Sequence, residues 1–378
     1  MNIRTLVPPS LKQNLANALG CKTQRKIVVI ESDDWGAIRM PSKIIYNDLL
    51  RQGIVINGHY NRFDSLETSD DISALCDVLC SVRDKNGKHP IITTNYLTAN
   101  PDFQRIRDDQ FKQYHYELFT ETYRRVSGCS ESFRVLKEGM DMGLFKPQSH
   151  GREHLNVPLW MAALRSGDRD TLLAFDHGFW GHATNYAYAK RKHFLAAFDY
   201  NSKDQANQVM QIAVEGVKLF QQIFVYRSKT FIAPNYIWSS DLERFLAGEG
   251  VTLLQGQRNQ LIPKVNSSRY RTRFHFSGQK NRIGQQYLVR NAFFEPSSNL
   301  SKDWVSSCLK EINCAFFWES PAVISVHRVN FMGSLVPENR DHNLAFFKQL
   351  LGKVVRRWPE VEFLPSDQLI DLMEHANG

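Results

Sequence analysis

The feature that most constrains the fold is a unit that recurs along the chain: a short β-rich run, a polar cluster at its end, and an amphipathic stretch. The β-rich runs lie at 26–31, 90–97, 144–148, 172–175, 230–233, 251–254, 322–326 and 361–365, and amphipathic stretches lie at 70–85, 102–125, 203–224, 239–249 and 342–358. Strands that alternate with helices form a parallel sheet, and the carboxyl ends of barrel strands meet on one face, where active sites lie. The order predicts an α/β fold, a distorted (β/α) barrel of seven or eight strands.

Positive charge is concentrated in one segment. The 378 residues carry a formal net charge of +8, and residues 258–290 contain eight basic residues and no acid. We interpret this run as an inserted β-rich basic element on the rim of the barrel. It either faces phosphate, an anionic lipid surface or nucleic acid, or it is a solvated hairpin. The predicted organisation is an N-terminal helical extension over 1–25, followed by the barrel over 26–378 with its insertion near 258–290.

The composition excludes several classes of protein. Hydrophobic residues make up 42% and charged residues 23%, which is typical of globular proteins and excludes a disordered or fibrous chain. No stretch reaches the ~20 apolar residues of a membrane span, and the first 20 residues lack the apolar run of a secretory signal. Six cysteines without a CxxC pair indicate reduced thiols. We therefore expect a cytoplasmic protein without a membrane span.

An acid pair follows the first β-rich run. Asp33 and Asp34 lie in SDDWG, directly after the apolar residues VVI. Adjacent acids at a strand end are costly unless they bind a cation or polar partners. One carboxylate of such a pair can bind a metal while the other acts as a base. An acidic turn that caps a helix also explains the pair.

Three later segments carry further candidates. His150 and His154 in QSHGREH are four positions apart, a spacing that suits one divalent ion on a helical face and also occurs in surface histidines. His327 ends the run AVISVH, where it is either a general acid with a pKa near neutral or a core histidine. In FIAPNY, the backbone N–H of Asn235 or Tyr236 is a candidate donor to an oxyanion.

Taken in this order, the four segments resemble the polysaccharide deacetylase family, the NodB-homology carbohydrate esterases. The resemblance implies a distorted (β/α) barrel and metal-dependent hydrolysis of an acyl group, an N-acetyl group above all, on a sugar. The metal implied is Zn²⁺ or another divalent ion. The implied ligands are Asp34, His150 and His154; the implied catalytic residues are Asp33 as base, His327 as acid and Asn235 as oxyanion donor through its backbone N–H.

The chain departs from the family pattern at two positions. Trp35 stands between the acid pair and Gly36, and Ile232 replaces the arginine that normally partners the base. The arginines considered as substitutes are Arg39, Arg152 and Arg328.

The resemblance implies a sugar or glycan precursor as substrate, and the basic run suggests a nucleotide or lipid link on it. No nucleic-acid partner is expected under this interpretation. Candidates for substrate binding are Trp35, Trp180, Tyr236 and Phe331, as rings that stack on a sugar, with Arg328 and Arg271 for polar or anionic groups.

Three alternatives remain open from the residues alone. The segment HGREH also fits the HxxEH signature of inverted zinc peptidases, in which Glu153 would be the base. A glycosidase-like or sugar-binding barrel without metal chemistry would use two carboxylates, for which Asp33 and Asp176 are candidates. The basic run would serve a protein that binds nucleic acid or a membrane surface.

Overall fold

The computed structural model describes residues 9–375. Its strands are β1 (Ile27–Trp35), β2 (Ile92–Leu97), β3 (Ala99–Pro101), β4 (Tyr116–Leu118), β5 (Phe145–Gly151), β6 (Thr230–Ile232), β7 (Leu253–Gly256), β8 (Asn259–Ile262), β9 (Arg271–Phe274), β10 (Gln286–Val289), β11 (Ala292–Phe293), β12 (Ala322–His327) and β13 (Glu362–Phe363).

The α-helices are α1 (Pro9–Leu19), α2 (Lys43–Arg51), α3 (His59–Phe63), α4 (Ser69–Cys80), α5 (Phe103–Asp108), α6 (Phe119–Arg125), α7 (Ser132–Asp141), α8 (Val157–Arg165), α9 (Arg169–Asp176), α10 (Lys203–Phe224), α11 (Ser240–Gly248), α12 (Trp304–Phe317), α13 (Pro337–Arg357) and α14 (Ser366–His375). Within the described chain, no helix combines the length and apolar character needed to cross a bilayer.

The main sheet is curled and parallel, which confirms the predicted distorted (β/α) barrel. Its strand order is β10-β7-β6-β5-β2-β1-β12-β11, and β13 pairs with the start of β1. Helices cover the outer face of the sheet, where the largest apolar cluster packs between the strands and helices that include α4, α12 and α13. Strand β1 is covered on both faces and buried along its whole length, which is why it begins with a continuous apolar run.

One segment spans the gap between the two ends of the sheet. Strands β10 and β11 are separated only by Arg290 and Asn291. The first half of the segment pairs with β7, and the second half pairs with β12. The backbone N–H of Arg290 donates to Gly256, and that of Asn291 donates to Val323. We call residues 286–293 the closing strand, because this one stretch of chain joins both ends of the sheet.

The inside of the curled sheet is filled in layers. Side chains at alternate positions of a strand share a face, so Ile27, Val29, Glu31 and Asp33 of β1 all face the same side. At the amino ends of the strands, Ile27 and Val29 join an apolar cluster that includes residues of α14. Polar side chains follow towards the carboxyl ends, where Ser366 donates to Glu31 at 2.7 Å. The apolar layer closes one end of the barrel, and the polar layer leads to the candidate site at the other end.

Two local predictions were wrong. The run 172–175 was predicted as a strand, but it lies in helix α9, because Asp168 accepts the backbone N–H of Thr171 as an N-cap. The stretch 102–125 was predicted as one amphipathic helix. It forms α5, β4 and α6 instead, since Gln110 and Phe111 take left-handed φ angles of 55° and 61°.

The structure describes only part of the predicted N-terminal extension. Helix α1 and residues 20–25 precede β1, whereas residues 1–8 lie outside the described residues, as do the last three residues of the predicted barrel. The predicted insertion divides into two parts. Strands β8 and β9 form a separate antiparallel hairpin, while β10 belongs to the main sheet. The domain boundaries themselves stay a prediction.

Candidate active site

The candidate site lies where the carboxyl ends of β1, β5 and β12 meet. Asp33 pairs in register with His327 across β1 and β12, and His150 lies near the end of β5. The acid pair and both histidines of HGREH are buried, whereas the side chain of His327 is 20% exposed. Solvent therefore has its best access to this group of residues beside His327.

Three side chains converge on one point. Asp34, His150 and His154 each offer a ligand atom, and these atoms lie within 4.8 Å of one another. The Oδ1 atom of Asp34 is 3.3 Å from Nε2 of His150 and 3.4 Å from Nε2 of His154. Asp34 reaches this position through a left-handed φ of 75°, and His154 lies in the loop before α8 rather than one helical turn after His150.

The donor atoms of this trio fit a divalent cation. Oδ1 of Asp34 and Nε2 of His150 are buried and have no hydrogen-bond partner. The Nδ1–H of His150 donates to the carbonyl of Ile232 at 2.9 Å, which fixes the tautomer that turns the Nε2 lone pair towards Asp34. Two imidazole nitrogens and one carboxylate oxygen form a donor set that suits Zn²⁺ and leaves positions open.

Burial and the charge of Arg39 keep Asp34 and His154 in the forms that bind metal. Burial opposes ionisation of Asp34, but Arg39, which donates to Oδ2 at 3.0 Å, holds the pKa of its carboxyl well below the usual range. Burial and Arg39 lower the pKa of His154 well below its ordinary value. Arg39 itself lies between the rings of Tyr60 and Trp180, at 5.5 and 5.3 Å. Asp34 is therefore ionised and His154 neutral at pH 7.

Asp33 is held by an arginine that the sequence did not identify. Arg290 donates to both carboxylate oxygens of Asp33 at 2.6 Å, and Asn95 donates to Oδ1 at 2.7 Å. Arg290 also donates to Glu31 at 2.7 Å. Burial of Asp33 opposes its ionisation, but Arg290 outweighs this effect and lowers the pKa of the carboxyl. The signal for Arg290 was its place after the apolar residues YLV, at the end of the basic run.

The three arginines considered for this role have other partners. Arg39 binds Asp34, the candidate ligand. Arg152 donates to Glu153 at 2.6 Å and also pairs with Glu215. The third, Arg328, is fully buried and pairs with two acids, Asp64 and Glu67.

His327 has an acidic partner that the sequence reasoning also missed. Its Nδ1–H donates to Oε2 of Glu295 at 2.7 Å, and its Nε2 lies 3.6 Å from Asp33. Burial alone would lower the pKa of His327, but Glu295, Asp33 and Asp34 together raise it to about 9. His327 is therefore a cation at neutral pH. The signal for Glu295 is an acid directly after the apolar run AFF.

The FIAPNY segment reaches the same site. Asn235 and Tyr236 have left-handed φ angles of 56° and 57°, a costly conformation that often marks functional segments. Arg290 donates to the hydroxyl of Tyr236 at 3.3 Å, which places this ring beside Asp33. Oδ1 of Asn235 is buried without a hydrogen-bond partner. The role of the Asn235 backbone N–H as an oxyanion donor stays a prediction.

Several candidates for substrate binding lie elsewhere. Trp35 is fully buried, donates to Ser32 and packs against core rings, and Phe331 belongs to the main apolar core, so neither ring is open to a sugar. Arg328 is buried and already paired with two acids, so it is not free to bind a substrate. Arg271 is exposed on β9 and lines a separate cleft. Trp180 lies near the candidate site, over Arg39, but its ring is buried.

Helix α3 brings a further ring to the site. The ring of Tyr60 meets His327 edge to face at 5.3 Å, and the ring of the preceding residue, His59, packs on Tyr60 at 4.2 Å. Nε2 of His59 is buried without a hydrogen-bond partner. No motif in the sequence pointed to α3.

The two catalytic alternatives find little support in the geometry. In the peptidase alternative, Glu153 would be a free base on a helix that carries both histidines. Instead His150 is in a strand, and Glu153 is tied to Arg152 and to the hydroxyl of Tyr114 at 3.0 Å. In the glycosidase alternative, Asp176 would face Asp33. Asp176 is 53% exposed and pairs with Arg107, so it lies on the surface.

A comparison with protein-family models and with curated proteins finds no match. Similar solved structures include a protein described as a polysaccharide deacetylase from Mycobacterium smegmatis, with 11% identity over 94% of this chain and 91% of that chain and a TM-score of 0.44. Another described in the same way, from Pseudomonas aeruginosa PAO1, has 8% identity, coverages of 93% and 91%, and a TM-score of 0.45. A 4-alpha-glucanotransferase from Thermococcus litoralis has 6% identity, coverages of 92% and 40%, and a TM-score of 0.45. The function of this chain is therefore inferred from the geometry of its own site.

Proposed function

We propose that this chain is a metal-dependent hydrolase that removes an acyl group, in the first instance N-acetyl, from a sugar or glycan precursor. One observation carries the proposal: a buried trio of metal-ligating side chains lies beside an ionised carboxylate and a protonated histidine at neighbouring strand ends. A cation site next to an acid–base pair suits the hydrolysis of an amide or ester. The sugar part of the proposal rests on the resemblance of the four sequence segments to polysaccharide deacetylases.

Asp34, His150 and His154 would hold the cation, and Zn²⁺ is the ion that this donor set suits. When bound, such a cation makes a water molecule more acidic and polarises a carbonyl group. Asp34 offers Oδ1 to the trio because Arg39 occupies Oδ2. The neutral His154 and the fixed tautomer of His150 are the forms in which imidazole binds metal.

Asp33 would orient the attacking water and receive its proton. Arg290 and Asn95 fix the plane of the carboxylate, so its orientation is set before the substrate binds. The same contacts make Asp33 a weak base. It accepts a proton most readily from a water that is already acidified, and this ties its role to the neighbouring trio.

His327 would protonate the leaving amine or alkoxide. Its Nδ1–H is engaged by Glu295, and its Nε2 lies beside Asp33, where the water would be activated. With a pKa near 9, the imidazole carries its proton at neutral pH and can donate it from Nε2. Tyr60, which packs on this ring, and Tyr236 are the aromatic side chains best placed to contact the substrate.

The test combines a measurement of bound metal with an assay of acetate release. We expect the purified chain to retain about one divalent ion, and His150→Ala or His154→Ala to lose it. His327→Ala should retain the ion and lower kcat by about 10²–10⁴, the usual contribution of general acid catalysis. His342→Ala, an exposed histidine on α13, is the matched control and should change neither quantity.

Two results would contradict the proposal at different points. A wild-type chain that binds no divalent ion, even after incubation with zinc, would remove the metal site. A zinc-loaded chain that releases no acetate from N- or O-acetylated sugars would leave the metal site intact but make the substrate class wrong.

A further inference from the structure

A basic cleft opens on the edge of the barrel next to β10. It has a volume of about 440 Å³ and lies between the start of α11, the β8–β9 hairpin and the turn 279–283. Five basic side chains line it: Arg244, Arg271, Arg273, Lys280 and Arg282. We call these five residues and the space between them the basic cleft.

Most of this charge is not neutralised by the protein. Arg271, Lys280 and Arg282 are exposed, and among residues 9–375 no carboxylate pairs with any of them. Arg244 pairs with an exposed acid, Asp241, at 3.2 Å, and Arg273 donates to a hydroxyl at the start of α11. Like charges gathered in a concave space repel one another, and a bound anion would relieve that repulsion.

The single acid of the lining does not oppose an anion. Glu243 is buried, and its Oε1 accepts hydrogen bonds from Trp238 at 2.9 Å and from Tyr287 at 2.8 Å. Its Oε2 accepts from Asn281 at 3.1 Å, and Arg273 lies 3.9 Å from the carboxylate. These partners hold Glu243 as part of the wall of the cleft, so its charge is screened from the open space.

An aromatic stack supports the same wall. The ring of His275 lies 3.7 Å from that of Tyr287 and 6.2 Å from that of Trp238, nearly parallel to both. His275 and Tyr287 line the cleft, and both are fixed by hydrogen bonds to neighbouring side chains. The site thus combines a fixed wall with three exposed cationic side chains that have no carboxylate partner.

We propose that the basic cleft binds a small ligand that carries a diphosphate or triphosphate group. Guanidinium groups grip phosphate oxygens in pairs, and the volume lies in the range of small-molecule sites. A continuous nucleic-acid track is disfavoured, because the basic run is interrupted: Arg290 is buried against Asp33, and Nη1 of Arg258 is also buried. The proposal is independent of the hydrolase proposal, since it uses none of the same residues.

The test is calorimetric titration of the full chain, after dialysis to remove metal, with inorganic pyrophosphate, with ATP and with a short single-stranded DNA. We expect pyrophosphate and ATP to bind, more weakly at physiological than at low salt. The variant Arg271→Gln/Lys280→Gln/Arg282→Gln should weaken this binding at least about tenfold, since one charged hydrogen bond contributes that much. These side chains are exposed, so the variant should fold normally.

A matched variant separates the cleft from net charge alone. Lys348→Gln/Lys353→Gln/Arg356→Gln removes three charges from α13 and should leave pyrophosphate binding unchanged. Equal weakening in both variants would overturn the proposal, as would a wild-type chain that binds neither pyrophosphate nor ATP at millimolar concentration. DNA that binds more tightly than either phosphate ligand would also overturn it, in favour of a nucleic-acid surface.

Discussion

Replacing Glu295 by glutamine removes the charge that faces the imidazole of His327 and keeps the size of the side chain. In the structure Oε2 of Glu295 accepts the Nδ1–H of His327 at 2.7 Å, and Asn330 donates to the other oxygen. Among the groups that raise the pKa of His327, Glu295 has the largest effect, acting against burial. The variant should therefore lower this pKa while leaving the hydrogen bond possible.

The size and sign of the effect follow from the raised pKa. The pKa of His327 rises from 6.5 to about 9 in the wild type. Loss of the largest raising contribution should lower it by at least about one unit, which corresponds to about 1.4 kcal/mol. A general acid works in its protonated form, so activity is present below the pKa and is lost as the pH rises through it. The alkaline limb of kcat should fall near pH 9 in the wild type and near or below about pH 8 in Glu295→Gln.

The assay is acetate release at saturating substrate from about pH 6 to about pH 10, with bound metal measured at each pH. Glu360→Gln, an exposed carboxylate on the surface, is the control and should leave the profile in place. The reasoning would be refuted by an alkaline limb that stays at the wild-type pH in Glu295→Gln while the rate falls equally at all pH values. That result would mean that another group titrates and that Glu295 has a structural role only.

Three further predictions concern stability. A Cβ on Gly216 of α10 would lie 2.4 Å from a backbone nitrogen in the HGREH segment. In urea unfolding, Gly216→Ala should therefore destabilise the fold by about 2–3 kcal/mol, and it should also weaken zinc binding. The control Gly352→Ala has open space around its Cβ and should be neutral or stabilising. Arg290→Met leaves buried carboxylates unpaired and should cost about 3–5 kcal/mol in the same measurement. Arg25 and the other hydrogen-bond donors around Glu362 lower the pKa of its carboxyl to about 2, so this carboxylate stabilises the fold at neutral pH. Glu362→Gln should therefore lower the free energy of unfolding by about 1 kcal/mol at neutral pH, and this difference should shrink as the pH falls from about 5 towards 2.

Local signals in the sequence were enough to predict most of the strands. The β-rich runs before the acid pair, before HGREH and before His327 all lie in strands of the main sheet. The run 172–175 was wrongly predicted as a strand because four apolar residues show no clear period. The N-cap at Asp168 favours the helix that the structure contains. The class of fold was predictable because the alternation of strands and helices recurs along the whole chain.

The candidate site was predictable only where its residues lie in recognisable segments. Asp34 and His150 lie near the ends of strands, His154 follows one of these strands, and the structure brings the three together. Arg290 was missed because its partner Asp33 is 257 positions away, and no local pattern in the sequence indicates that the two residues meet. Glu295 was missed because a single acid after an apolar run has no motif of its own.

The closing strand also limits how the length of the chain can vary around the barrel. Side chains on a strand alternate between its two faces, so Leu288 and Arg290 face inwards and Tyr287 faces the basic cleft. One residue inserted between 287 and 290 would put Tyr287 and Arg290 on the same face of the strand, so one of the two would lose its present position. Natural length variation is therefore expected at the loop 263–270 between β8 and β9, where it leaves this alternation intact, and not within the strand itself.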